Sequence, residues 1–274
     1  MILVNGYEVK QTTFPDGSLC TSAPIEKTES TGGPFGKVSF IWKYENDAEL
    51  FTLICLRRHY EPYGATLKML YCPHARMDRV KNDTDVFTLK YFCEVINSLN
   101  FSKVTILDPH SNVAPALLNN VEIETTYPYI KTVIQKFSDL KGKENIALYF
   151  PDAGAMKRYT ELNFYLPYAY GNKCRNWNTG VLESQEGQNM KNVIGKDVLI
   201  IDDICCRGGT FLMATDVLLK AGAKSVSLYV THCENTIAEG KIFDSKIEKV
   251  YTTKSLNHTE EVKDKIIYVE RSSF

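Results

Sequence analysis

Short apolar, β-rich runs recur along this chain, and between many of them lie segments of helical period. The runs are KVSFIWKY, TLKMLYCPH, KVTILDPH, NIALYFPD, DVLIIDD, SVSLYVTH and KIIYVE. DAELFTLICLRRHY, DVFTLKYFCEVINSL, YIKTVIQKFSDL and TFLMATDVLLKAG repeat apolar residues three and four apart, the spacing of one helix face. The last of these predicts a helix capped at Gly222, with the next strand beginning at once. Apolar strands that alternate with helices predict a mainly parallel sheet covered on both faces. Such sheets bind ligands beyond the carboxyl ends of their strands.

Polar residues stand at those ends. YCPHARMD, LDPHSN, FPDAGAMKR, IIDDICCRGGT and VTHCEN each follow an apolar run. The pattern occurs in both halves, which predicts two similar α/β domains, 1–127 and 128–274, joined near Tyr127–Ile130. A length of 274 residues accommodates two modest domains, and 44% hydrophobic content supplies their cores. The net charge of -1 argues against general nucleic-acid binding. No apolar run approaches the ~20 residues of a membrane span. The opening MILVNGYEVK has no basic region followed by an apolar one, so the expectation is a cytoplasmic protein without a secretory leader. Most of the 8 cysteines, such as Cys55 and Cys93, fall inside apolar runs and read as reduced, buried thiols. Cys205 and Cys206 are adjacent, a poor spacing for a metal pair.

The stretch DVLIIDDICCRGGTF, Asp197–Phe211, is the most informative. Val198–Ile201 would bury a strand and leave Asp202 and Asp203 at its exposed carboxyl end, with a helix beginning at Thr210. Gly208 and Gly209 let backbone N–H groups approach a ligand, and the helix dipole favours an anion such as phosphate. Two carboxylates beside a phosphate cradle suit a sugar phosphate, since they accept hydrogen bonds from vicinal hydroxyls. A plain strand–turn–helix with an aspartate N-cap accounts for one carboxylate only.

This stretch resembles the ribose-5-phosphate and phosphoribosyl diphosphate (PRPP) binding loop of type I phosphoribosyltransferase-fold proteins. The loop alone leaves open a phosphoribosyltransferase, which consumes PRPP, and a synthetase, which makes it. FPDG at Phe14–Gly17, PHARMD at Pro73–Asp78, DPH at Asp108–His110, PDAGAMKR at Pro151–Arg158 and NKCRN at Asn172–Asn176 stand in the order, and near the spacing, of PRPP synthetases. Over nearly its whole length the chain is similar to the ribose-phosphate pyrophosphokinase family.

The resemblance implies two phosphoribosyltransferase-like α/β domains and diphosphoryl transfer from Mg-ATP to ribose 5-phosphate, releasing AMP. It implies ATP binding by Phe14, Asp16, Arg76, Asp78 and His110, and a magnesium site touched by His110 and Asp152. Ribose 5-phosphate falls to Asp202, Asp203, Cys206, Arg207, Gly208, Gly209 and Thr210. Lys173 and Arg175 match a catalytic pair on a mobile loop, and the family pattern implies a homo-oligomer, a dimer at least. The atoms suit these roles. Phe14 and Arg76 can sandwich a flat adenine, and Asp16 can accept from its amino group. Magnesium prefers oxygen ligands and keeps several waters. Taken alone, Pro-Asp-Gly is a common turn signal, and Lys173 with Arg175 reads as a solvated charge pair. Lys157 and Arg158 are expected to fix the helix or the phosphates.

The pattern also departs from the family. Ser18 stands where an acidic residue is common, Met77 replaces a glutamine, Cys206 and Arg207 replace an Asp-Thr pair, and SNVAPALL follows His110. The competing readings are a phosphoribosyltransferase and a catalytically inactive regulator of an active synthetase. Inactive members tend to lose the Lys-Arg pair that Lys173 and Arg175 keep here.

Overall fold

The computed structural model describes residues 1–23, 36–61, 63–175 and 182–272, with side chains described outside 172–186. The backbone divides into two compact units, Met1–Thr125 and Thr126–Phe274.

The first unit runs β1 (Ile2–Val4), β2 (Tyr7–Glu8), β3 (Lys10–Thr13), β4 (Leu19–Ser22), β5 (Lys37–Trp42), α1 (Ala48–His59), β6 (Gly64–Met69), α2 (Thr88–Ser98), β7 (Lys103–Leu107), α3 (Val113–Leu117) and β8 (Val121–Glu124). Its sheet has the order β2-β1-β5-β6-β7-β8, parallel from β5 to β8. Here β5 and β6 alternate buried and more exposed residues, unlike the fully apolar strands expected. Val38, Phe40 and Trp42 bury one face while Lys37 and Ser39 stay exposed on the other. A separate antiparallel hairpin, β3–β4, is tied to α1 by Gln11 Nε2 donating to Thr52 Oγ1.

The second unit runs α4 (Tyr127–Lys141), β9 (Ile146–Phe150), α5 (Ala153–Thr160), β10 (Tyr168–Arg175), β11 (Leu182–Gln188), β12 (Asp197–Cys205), α6 (Gly209–Lys220), β13 (Ser225–Cys233), β14 (Ile247–Thr252), α7 (Glu260–Lys263) and β15 (Ile267–Tyr268). Its sheet has the order β11-β10-β9-β12-β13-β14-β15, with only the β10–β11 pair antiparallel. Every residue of β9 and β13 is buried, in β13 with the polar Ser225, Ser227, Thr231 and His232 among them. Ile130, Val133 and Phe137 of α4 pack against Leu199, Ile201, Tyr229 and Tyr251. Phe211, Ala214 and Leu218 of α6 pack against Val198, Ile200, Val226 and Leu228 on the opposite face. Alternation along β12 and β13 separates these two cores.

Helix α6 ends at Lys220 rather than at Gly222. Gly222 lies just past the cap with φ 97°, and Ala223 N–H reaches Leu218 O at 3.0 Å while Gly222 N–H reaches Leu219 O at 3.1 Å. These paired bonds close the helix around the left-handed Gly222, one residue beyond the cap residue Ala221. Helix α5, absent from the periodicity reading, is too short to show a repeat.

Candidate functional site

Strand β12 extends further than its partner β9. Pairing with β9 stops at Ile200↔Tyr149, whereas pairing with β13 continues to Cys205↔Cys233. Asp202 and Asp203 therefore lie on the unpaired β9 side of the central strand, beyond the last residues of β9. This is where open α/β sheets leave a crevice for ligands. The strand continues through both carboxylates to Cys205 instead of ending before them. Asp202 is half-buried and its Oδ1 accepts from Asp203 N–H at 3.0 Å. Asp203 is buried rather than exposed, and Arg158 Nη1 approaches its Oδ2 at 3.6 Å. Burying a carboxylate is expensive without a counter-charge, and Arg158 of α5 supplies one.

Helix α5 is placed by its own cap. Asp152 Oδ1 accepts from Ala155 N–H at 2.9 Å, so Asp152 starts the helix that carries Arg158 back to Asp203. The motif PDAGAMKR thus has a structural job at both ends. The magnesium role implied for Asp152 shares this carboxylate with the cap.

The loop between β12 and α6 is built from backbone. Gly208 is the N-cap of α6 with φ 78°, no side chain caps the helix, and no acidic residue occupies its first turn. Among the described residues, the N–H groups of residues 207–210 have no protein acceptor. Four donors in a row at a helix N-terminus form an anion cradle. A Cβ on Gly209 would meet nothing within 4 Å, so the loop is open on the side of that residue. The rear of the loop is tightly packed. A Cβ on Gly208 would come within 2.0 Å of Ile242 Cδ1, and one on Gly240 within 2.0 Å of Arg207 O. Gly240 and Ile242 escaped the sequence reading because they contribute shape, not chemistry. Arg207 divides between two interactions. Its guanidinium pairs with Glu239 through Nε at 2.9 Å and Nη2 at 2.6 Å, so the side chain is committed to that carboxylate while its backbone belongs to the cradle. The Cys205 thiol, next to the loop, is pushed well above its ordinary range by burial and then by Cys233. A thiol in that state is inert.

In the first unit, the nucleotide residues of the sequence reading are distributed over three elements. Phe14 is 53% exposed in the turn of the β3–β4 hairpin. Asp16 Oδ1 accepts from Ser18 N–H at 2.9 Å and Ser18 Oγ at 2.7 Å, and these bonds hold its carboxyl below the usual range. FPDG is therefore a hydrogen-bonded turn, and Ser18 serves that turn. Arg76 is exposed on the loop after β6, as a partner for a planar ligand must be. Asp78 is buried in a fork with Arg79, Nε to Oδ1 at 2.7 Å and Nη2 to Oδ2 at 3.1 Å. This pairing, helped by Ser111 and His110, holds the Asp78 carboxyl below its ordinary value despite burial. The structure thus joins PHARMD to DPHSN through Asp78. His74 and Asp108, at the ends of the same two strands, are non-glycine residues with φ 59° and 41°. Left-handed backbone at such residues is strained and clusters at ligand sites. The contact of His74 Nε2 with Asp47 Oδ1 at 3.1 Å was not legible in sequence, because 27 residues of chain separate them.

Lys173 and Arg175 lie on β10, where the backbone pairs them with Gln185 and Leu182 of β11. The NKCRN segment begins as one arm of a β-ribbon, not a coil, and both side chains lie outside the described residues.

Comparison with known proteins agrees with this geometry. Residues 154–265 match the phosphoribosyl transferase domain family. The chain is 28% identical to a ribose-phosphate pyrophosphokinase of Saccharolobus solfataricus, over 82% of this chain and 76% of that protein. It is 31% identical to a ribose-phosphate pyrophosphokinase of Mesorhizobium japonicum, over 71% and 62% of the two. The match to ribose-phosphate pyrophosphokinase 4 of rice spans about half of that relative, 52%. A phosphoribosylpyrophosphate synthetase of Mycobacterium smegmatis superposes with TM-score 0.75 at 18% identity, covering 95% of this chain and 85% of that one. That likeness shows the fold, two mainly parallel α/β sheets of the phosphoribosyltransferase type. In sequence and in fold, the chain is a relative of the ribose-phosphate pyrophosphokinases.

Proposed function

We propose that this protein synthesises PRPP, transferring the β,γ-diphosphoryl group of ATP to the C1 hydroxyl of ribose 5-phosphate. The observation that carries the reading is the cradle at residues 207–210, with open space at Gly209 and two carboxylates on the preceding strand. An anion site made of N–H groups fits a 5-phosphate, and acceptor oxygens of Asp202 and Asp203 fit ribose hydroxyls. The relatives named for this reaction support the same reading.

In the reaction, the C1 hydroxyl oxygen forms a bond to the β-phosphorus. The bond from that phosphorus to the oxygen bridging to the α-phosphate breaks, AMP leaves with the electron pair, and the hydroxyl proton passes to solvent. Such transfers need alignment and charge stabilisation more than covalent help. The cradle fixes the 5-phosphate. Asp202, half-buried, orients the sugar, and Asp203 is itself held by Arg158. In the first unit, Phe14 and Arg76 are exposed, as residues that flank a base would be, and His110 stands beside Asp78. Lys173 and Arg175 supply positive charge as the bond to AMP lengthens.

Magnesium fits the donors present. Each unit offers donors of its own: His110 in the first, and the carboxylates of Asp152 and Asp202 in the second. Magnesium prefers oxygen ligands and keeps several waters, so one that arrives on the triphosphate would need few protein donors. When bound, it neutralises phosphate charge. The test is to incubate protein, ATP, magnesium and ribose 5-phosphate and identify the products. AMP with PRPP is expected; ADP, or PRPP consumption without ATP, overturns the assignment.

A further inference from the structure

The second unit carries a cavity of about 770 Å³ that the proposed chemistry does not use. Its walls are the outer side of α4 and the segment after β15. Lys131, Lys136, Lys254 and Arg271 line it, together with Tyr268 and Glu270. Four cationic side chains and one carboxylate thus line one concave space, in a chain of net charge -1. The carboxylate is already engaged, since Lys254 Nζ meets Glu270 Oε1 at 3.2 Å.

The walls are fixed rather than loose. Thr132 Oγ1 donates to Pro128 O at 3.0 Å and contacts Glu270 O at 3.3 Å. Ser272 Oγ donates to Pro128 O at 3.3 Å. These bonds strap the last strand segment to the first turns of α4. Helix α4 covers the sheet face opposite α6, so the cavity is separate from the cradle at residues 207–210.

The lining also selects ligand chemistry. Tyr268 is the aromatic residue in the wall, but Lys254 Nζ lies 6.0 Å from its ring centroid and the His258 ring packs against it at 5.5 Å. Its hydroxyl is bonded to His258 Nδ1 at 2.7 Å, so its polar end is not offered to a ligand. Ammonium groups and a guanidinium around a concave space match phosphate oxygens instead. From this lining we infer that the cavity is a second anion site, taking a linear oligophosphate of two or three phosphate units.

The probe is inorganic tripolyphosphate, measured by calorimetry with the cradle saturated by ribose 5-phosphate. Binding should persist under saturation and weaken as salt rises. Lys131→Gln with Lys136→Gln should weaken it about tenfold or more, while ribose 5-phosphate affinity stays within about twofold. If that double variant loses thermal stability, Lys254→Gln is read in its place and should also weaken the probe. Tripolyphosphate that is displaced by ribose 5-phosphate, fails to bind, or binds the folded variants as tightly as the parent overturns the inference. The outcome is independent of the products formed from ATP.

Discussion

The two units place their polar residues at the same ends of their strands but present them differently. In the first unit the chemistry resides in side chains. Asp78 is forked by Arg79, His74 contacts Asp47, and left-handed backbone at His74 and Asp108 sets their direction. In the second unit the proposed anion site is backbone, four N–H groups at the start of α6, braced from behind by Ile242 and the close approach of Gly240. Side-chain recognition is specific but depends on partners far apart in the chain. Backbone recognition depends on a short run of glycines and tolerates changes beside it, which explains how Cys206 and Arg207 occupy a loop whose cradle survives.

The largest expected effect tests the charge that neither unit's resting geometry provides. Lys173→Ala or Arg175→Ala should lower turnover by about a hundredfold or more, because charge aimed at a transition state is seldom replaceable. Affinity for ribose 5-phosphate should change little. Near-normal kcat in both variants would return this pair to ordinary charges on β10.

Next come the two parts of the sugar-phosphate site. Gly209→Ala places a methyl in open space without strain, so melting temperature should hold or rise, since alanine favours a helix over glycine. Ribose 5-phosphate should nonetheless bind about tenfold more weakly, because the methyl stands where the phosphate approaches. Asp203→Asn keeps the shape and removes the charge. It should weaken the sugar phosphate by roughly ten- to hundredfold, the worth of a charge-assisted hydrogen bond of about 1.5–3 kcal/mol, and leave ATP affinity nearly intact. Unchanged sugar affinity in both variants would break the claim that the second unit holds ribose 5-phosphate.

The difference between the units also explains what sequence could and could not reveal. The glycines at 208 and 209 and the apolar strand before Asp202 are contiguous, so the cradle was legible from 15 residues, Asp197–Phe211. The burial of Asp203 was not, because its counter-charge sits on α5, a helix of 8 residues whose cap, Asp152, looked like a ligand. The same limit hid the Asp47–His74 contact, the Ser111 partner of Asp78 and the ribbon around Lys173. Alternation in β5 was overread as a buried run because Ser39 and Lys37 are outweighed by Val38, Phe40, Ile41 and Trp42.

A smaller effect probes the first unit's fork through pH. The Asp78 carboxyl sits below its ordinary 3.8, chiefly through Arg79. A depressed carboxylate stabilises the fold above its unfolded value, and that contribution fades as pH falls through the folded one. Arg79→Ala should therefore lower the melting temperature near neutrality by a few degrees, at most about 1 kcal/mol because Arg79 is largely exposed. The gap between variant and parent should close as pH drops well below 3.8. A gap that stays constant with pH would assign the loss to packing by Arg79.

The smallest effect concerns Arg207, the residue whose side chain and backbone belong to different interactions. Its guanidinium and Glu239 are 72% and 54% exposed, and an exposed ion pair is worth about 0–1 kcal/mol. Arg207→Ala keeps the backbone N–H, so the cradle retains its four donors and ribose 5-phosphate affinity should stay within about threefold. Glu239→Gln should leave affinity equally unaffected, since it frees the guanidinium without adding a donor to the cradle. The comparison sharpens if the two variants diverge. A tenfold loss in Arg207→Ala with a gain in Glu239→Gln would mean that the arginine leaves Glu239 for the 5-phosphate when the sugar arrives, and the second unit would then use a side chain where its resting structure shows only backbone.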